Sequence, residues 1–176
     1  VFYFLWHNED MPGPWDISKV LKGTRDWGGM HGFHHWTEPE VGYYISTDPW
    51  VYRRHVRMLS DMGVDVLFFD ATNAATYEKH YKLLLQVMTE MRKDGETVPQ
   101  VAFITWSSSG DTVNRLMKEL YTPGYYKQFW FMYKGKPLIL AKPEELSKEA
   151  LDFFTVRSCW AFNGGSEKNY WTWIDH

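Results

Sequence analysis

The stretch Asp48–Asn73, DPWVYRRHVRMLSDMGVDVLFFDATN, decides the fold class. Asp48 followed by Pro49 predicts a helix start, because the Asp side chain caps free backbone N–H groups and Pro suits the first helical position. Val51, His55, Met58, Leu59 and Met62 recur at helical spacing and form the expected buried face. Gly63 stops the helix where a left-handed residue is wanted. Val64–Phe69 then reads as a strand. Its apolar run Val66-Leu67-Phe68-Phe69 predicts cover on both faces, the pattern of a parallel strand in an α/β fold. Asp70 follows at the strand's carboxyl end, the end that carries chemistry in α/β barrels and open α/β sheets. The bland reading is that Asp70 only caps a turn.

The same alternation extends in both directions. Val1–Trp6 reads as a buried strand, with His7-Asn8-Glu9-Asp10 at its carboxyl end. Asp16–Leu21 is a short helix. Lys22–Glu40 is rich in Gly and aromatics without periodicity, a loop of a length that is usually functional. Val41–Ser46 reads as a short strand or an extended segment. Thr76–Lys93 is a second amphipathic helix with Tyr77, Tyr81, Leu84, Leu85, Met88 and Met91 inward. Val101–Trp106 is the next strand, ending in Ser107-Ser108-Ser109. Asp111 is expected to cap the following helix. Phe129–Ala141 reads as a hairpin turned at Lys134-Gly135. Pro143 opens a further helix with Leu146 and Leu151 inward, and Thr155–Phe162 is a last strand.

Strand, helix, strand in repeated succession predicts βαβ units with five to six parallel strands in a single domain spanning residues 1–176. Two architectures fit. One is a (β/α)8 TIM-type barrel, of which this chain would be an incomplete amino-terminal portion, since such barrels run to about 250 residues. The other is an open doubly wound α/β sheet. The absence of an initiator Met and the abrupt stop after Asp175-His176 lead us to expect truncation at both ends.

The chain has 176 residues with 19 basic and 22 acidic side chains, a net charge of −3. That balance carries no nucleic-acid footprint, and no apolar run is long enough to span a bilayer. The lone Cys159, in an apolar run, is expected to be packing. Aromatics are the unusual feature: 10 Trp, 11 Tyr and 11 Phe. Trp15, Trp27, Trp36, Trp50, Trp171 and Trp173 fall in polar or Gly-rich segments. Flat amphipathic rings outside the core suit a ligand with apolar faces and a polar rim, such as a sugar.

Several runs carry a family resemblance. His34-His35-Trp36-x-Glu38-Pro39-Glu40-x-Gly42-Tyr43-Tyr44, Asp48-Pro49-Trp50-Val51, Arg54-His55, Gly63-Val64-Asp65-x-Leu67-x-Phe69-Asp70-x-Thr72-Asn73 and Gly135-Lys136-Pro137-Leu138-Ile139 together resemble glycoside hydrolase family 71/99-like proteins, over nearly the whole chain. The resemblance implies a (β/α)8 barrel, a secreted, periplasmic or cell-surface location, and hydrolysis of glycosidic bonds in a polysaccharide or glycan, families 71 and 99 proper cleaving α-linked glucans and mannosides. Family 99 carries its catalytic carboxylates late in the barrel, near a Trp-Asn-Glu type segment. This chain has no counterpart, so that pair is not carried over.

Glycoside hydrolysis needs two carboxyl groups, about 5 Å apart for retention or about 6.5–9.5 Å apart for inversion. Asp70 and Glu38 are the expected catalytic carboxylates. His7, Glu9, His35, Trp36, Asn73, Trp106 and Ser107 are the expected substrate-binding residues, supplying hydrogen bonds and a stacking platform to an oligo- or polysaccharide. No cofactor and no metal are expected. A metal reading of His34, His35 and Glu38, with Asp70 or His176, is weaker, because adjacent histidines on a strand point to opposite faces and no His-x-His or His-Glu-x-x-His spacing occurs. A non-catalytic sugar-binding barrel is the main alternative. A receiver-like domain, with Asp70, Thr105 and Lys142 at strand ends and Glu9-Asp10 as its acidic pair, leaves the loop aromatics without a role.

Overall fold

A computed structural model describes residues 1–7, 17–27, 39–158 and 170–171, with the side chains of residues 17 and 18 excepted. The chain runs β1 (Phe2–Tyr3), α1 (Ile17–Leu21), α2 (Pro49–Asp61), β2 (Val66–Ala71), α3 (Glu78–Lys93), β3 (Gln100–Thr105) and α4 (Ser109–Leu116). It continues through β4 (Met132–Tyr133), β5 (Lys136–Leu140), α5 (Lys148–Phe153) and β6 (Thr155–Arg157). The fold is α/β with a mostly parallel, mixed sheet. Strands β1, β2, β3, β5 and β6 pair side by side and parallel, while β4 joins β5 antiparallel.

The parallel strands lie in chain order, with no point where the order reverses. Leu67, Phe69 and Ala71 of β2, Val101 and Phe103 of β3, and Ile139 of β5 form one core with residues of α2, α3, α4 and α5. The opposite sheet face carries a smaller apolar cluster of Ile104, Leu138 and Leu140. Phe2, Phe68, Phe131, Tyr133 and Trp171 pack on it, and among the described residues no helix contributes. A doubly wound sheet has both a strand-order reversal and a helix layer on each face. The described residues show neither, and the receiver-like arrangement fails on the same ground.

Helix α2 begins as its sequence requires, with the Trp50 N–H bonded to Asp48 Oδ1 at 2.9 Å and Pro49 in the first turn. Gly63 follows it at φ +78. The buried face is Val51, Tyr52 and Val56, whereas Met58 and Met62 are 46% and 76% exposed. The expected stripe is therefore rotated: Tyr52 takes the core position, and the flexible methionines sit on the flank. Arg53 ties α2 to the end of α3 through Asp94 and Glu96 at 3.1 and 2.8 Å.

Other expectations shift locally. The strand expected at Val1–Trp6 is only Phe2–Tyr3, half-buried at the sheet's edge. Of the two readings of Val41–Ser46, the strand does not form among the described residues: a turn bonds the Gly42 N–H to the Pro39 carbonyl at 2.8 Å, and the Ser46 N–H bonds the His7 carbonyl outside any strand. β2 starts and ends two residues later than expected, so Asp70 lies inside it. Its faces alternate between half-buried and buried, so the strand is covered fully on one side only. α4 starts at Ser109, which puts Asp111 in its first turn, where an acid suits the positive dipole end, instead of at the cap. Pro143 opens only a 3-10 turn to Glu145. α5 follows separately, capped by Ser147 Oγ on the Ala150 N–H at 3.2 Å, with Leu151 42% exposed and Ala150 buried in its place.

Candidate functional site

Register places chemistry on the helix-free face. Asp70 pairs with Ile104, Ile104 with Leu140, and Leu140 with Arg157. In-register residues of parallel strands share a face, and side chains alternate along each strand. Asp70, two residues beyond Phe68, therefore lies on the side of the small apolar cluster, at the carboxyl end of β2. Its Oδ1 accepts the Thr72 N–H at 2.9 Å. This is the turn-capping role of the bland reading, and it occupies one carboxylate oxygen. The side chain is half-buried.

Asn73, Trp106 and Ser107 sit beside it at the ends of β2 and β3, where the Ser107 N–H bonds the Thr72 carbonyl at 2.8 Å and extends the ladder past the strands. Asn73 is exposed and builds its own loop, donating to the Tyr77 hydroxyl at 2.6 Å and accepting from the Ala75 N–H at 3.3 Å. Ala74, Tyr77 and Ser108 take positive φ values of 63, 55 and 45. Left-handed backbone at non-Gly residues is costly and often found at functional sites; three of the five such residues among the described ones fall in the two loops that follow β2 and β3, the others being Tyr126 and Lys134. Arg115 of α4 bonds the Ala74 carbonyl and fixes the first of these loops.

Lys142 was not among the expected binding residues. Its ammonium stands 4.5 Å from the Trp106 ring centre, so a cation packs on the expected stacking platform. Glu145 accepts from Lys142 at 3.0 Å and from the Gly110 N–H at 3.3 Å. The Lys142 hydrogen bond holds its carboxyl below the ordinary carboxylate range, and the Gly110 N–H acts in the same direction. A Cβ at Gly110 would overlap the Glu145 backbone carbonyl. Gly110→Ala is therefore expected to push the β5–α5 connection outward and to destabilise the fold by about 1–3 kcal/mol, as overpacking does. Denaturant titration reads the loss, and a change in tryptophan fluorescence would report the displacement of Lys142 from Trp106.

His7 packs elsewhere. Its ring lies edge-on to Tyr44 at 5.6 Å. Tyr44 packs on His55 of α2 at 5.5 Å, and the Tyr3 hydroxyl lies 2.8 Å from His55 Nδ1. Burial raises the pKa values of Tyr3 and Tyr44, and burial with the nearby Arg54 charge lowers that of His55. A His with a lowered folded pKa refuses a proton that the unfolded chain accepts. Stability is thus expected to fall as pH drops below about 6.5, the ordinary His value, and to level off below the lowered one. Thermal melts between pH 8 and pH 5 check this, and a His55→Gln variant should lose that part of the slope.

Glu9, His35, Trp36 and Glu38 lie outside the described residues, as do Cys159, Asp175 and the His34 and His176 of the metal reading. No group of three or more His, Cys, Asp or Glu arranged for a metal ion occurs among the described residues, and no helix there is long and apolar enough to cross a membrane.

No family model and no curated protein matches the sequence. The fold does match solved structures of a GH99 endo-α-mannosidase from Bacteroides thetaiotaomicron. One, in complex with bis-tris-propane, aligns with a TM-score of 0.55 at 18% identity, over 90% of this chain and 51% of that one. A second aligns with a TM-score of 0.50 at 20% identity, over 79% of this chain and 43% of that one. The likeness is one of fold, it agrees with the family 71/99-like resemblance of the sequence, and this chain spans about half the length of the enzyme it matches.

Proposed function

We propose that residues 1–176 form a single-domain part of a (β/α)8 barrel and that the protein is a glycoside hydrolase acting on α-linked mannan or glucan, or a related glycan, outside the cytoplasm. The observation that carries this reading is the arrangement of the sheet. Parallel strands in chain order, with helices on one face, leave the other face free to curl around an interior, and Asp70 stands on that face at the carboxyl end. Barrel enzymes build their sites at that end. Asp70 is proposed as one catalytic carboxylate and Glu38 as its partner. Trp106 would stack on a sugar ring, with Asn73, Ser107, His7, Glu9, His35 and Trp36 as further contacts.

The test is to incubate the protein with α-linked mannan and glucan oligosaccharides and chromatograph the products. Shorter saccharides are the expected result. Binding without cleavage would favour a sugar-binding barrel, a reading supported by the single strand-end carboxylate, Asp70, on this face among the described residues. Neither cleavage nor binding would remove the saccharide reading, and activity abolished by a chelator would bring a metal hydrolase forward.

A further inference from the structure

Among the described residues, Arg157 is the one Lys, Arg, Asp or Glu side chain that is buried, at 8% exposure. It ends β6 on the same rung and face as Asp70, two strands of apolar Ile104 and Leu140 away. Its guanidinium carbon lies 5.1 Å from the Tyr133 ring centre and 5.6 Å from that of Trp171. Nη1 donates to the Val156 carbonyl at 2.7 Å. No carboxylate among the described residues pairs with it.

Removing a cation from water is costly unless an anion or a full set of hydrogen bonds compensates. Two ring faces supply part of that compensation. One carbonyl uses one of five N–H donors, and the planar fork presents paired donors that match the two oxygens of a carboxylate, sulfate or phosphate. A neutral sugar hydroxyl does not need this: a neutral Asn would serve it without burying a charge. The charge on this face is also divided, with the acid on β2 and the buried base on β6. A chain with an anionic substituent would therefore be held in one direction across the rung.

We propose that Arg157, flanked by Tyr133 and Trp171, forms a subsite for an oxyanion substituent on the saccharide. This rests on the saccharide reading above and names the substrate class as an acidic glycan. The experiment compares a glucuronate-terminated oligosaccharide with its neutral glucose-terminated counterpart by calorimetry, on the protein and on its Arg157→Met and Arg157→Lys variants. Inorganic sulfate in a thermal-shift assay serves as an independent probe. The unaltered protein is expected to bind the acidic sugar at least about tenfold more tightly than the neutral one, the scale of a charge-assisted bidentate contact. Arg157→Met should bring the two affinities together, and Arg157→Lys, which keeps the charge without the fork, should fall between. Sulfate should raise the melting temperature of the unaltered protein and not that of Arg157→Met.

Equal affinities in the unaltered protein would overturn the subsite and leave the saccharide reading standing. A melting temperature lowered in Arg157→Met with the acidic-to-neutral ratio unchanged would also overturn it, making Arg157 a structural cation. A sulfate effect that depends on Arg157, with no saccharide of either kind bound, would uphold the oxyanion site and overturn the saccharide reading.

Discussion

Asp70→Asn is expected to lower hydrolysis by about 10²–10⁴-fold, the usual worth of a positioned acid or base, while leaving the melting temperature nearly unchanged. The separation follows from what each carboxylate oxygen does. Oδ1 accepts the Thr72 N–H, and an Asn side-chain oxygen accepts the same bond in the same shape. What disappears is the charge and the ability to carry a proton. Asp70→Ala, by contrast, also frees the Thr72 N–H and should cost about 1 kcal/mol of stability. Steady-state kinetics beside thermal melts on both variants checks this. Undiminished turnover in Asp70→Asn would take Asp70 out of the reaction and leave it a turn cap.

Phe103→Ala should be the most damaging single core change. Phe103 is fully buried in the middle of β3. Its ring meets Phe69 at 5.3 Å, Tyr81 at 5.3 Å and Tyr121 at 6.4 Å, all edge-on. It thus joins β2, α3 and the helical turn after α4 at one point. Truncating such a ring costs about 3–5 kcal/mol through lost burial and the cavity left behind. For a domain of this size that means a fall in melting temperature of roughly 10 °C. Phe68→Ala is the comparison. Phe68 sits one face over, half-buried in the smaller cluster, and the loss there should be clearly less. Equal losses would mean that the helix-free face is as tightly packed as the helix-covered one.

The central stretch was legible because its signals are local. Asp48-Pro49 and Gly63 are capping chemistry that acts within a turn, and the structure uses both. Lys134-Gly135 turns the hairpin between β4 and β5 with both residues at positive φ, again a local demand. Positions that depend on distant partners were harder to read. Met58 and Tyr52 both fit an apolar stripe, and only the packing of α2 against its neighbours decides which one is inward. Asp70 looked as if it followed the strand, because a continuous apolar run hides the alternation that pairing with β3 imposes. The ring contacts of Lys142 and Arg157 were hidden for a related reason. Their signal was a charge within or just beyond a strand, and the rings they meet, Trp106, Tyr133 and Trp171, come from elsewhere in the chain.

The antiparallel hairpin has one more effect. Phe131 and Tyr133 lie against Ile104, Leu138 and Leu140 on the Asp70 side of the sheet, and Phe131 is bonded to both Val101 and Leu138. They set aromatic rings on the face of the sheet that carries Asp70. If a saccharide reaches Asp70 as proposed, those rings would favour entry and departure on the carboxyl-terminal side of the sheet, so the released half of a cut chain would have to clear the same mouth before the next could follow.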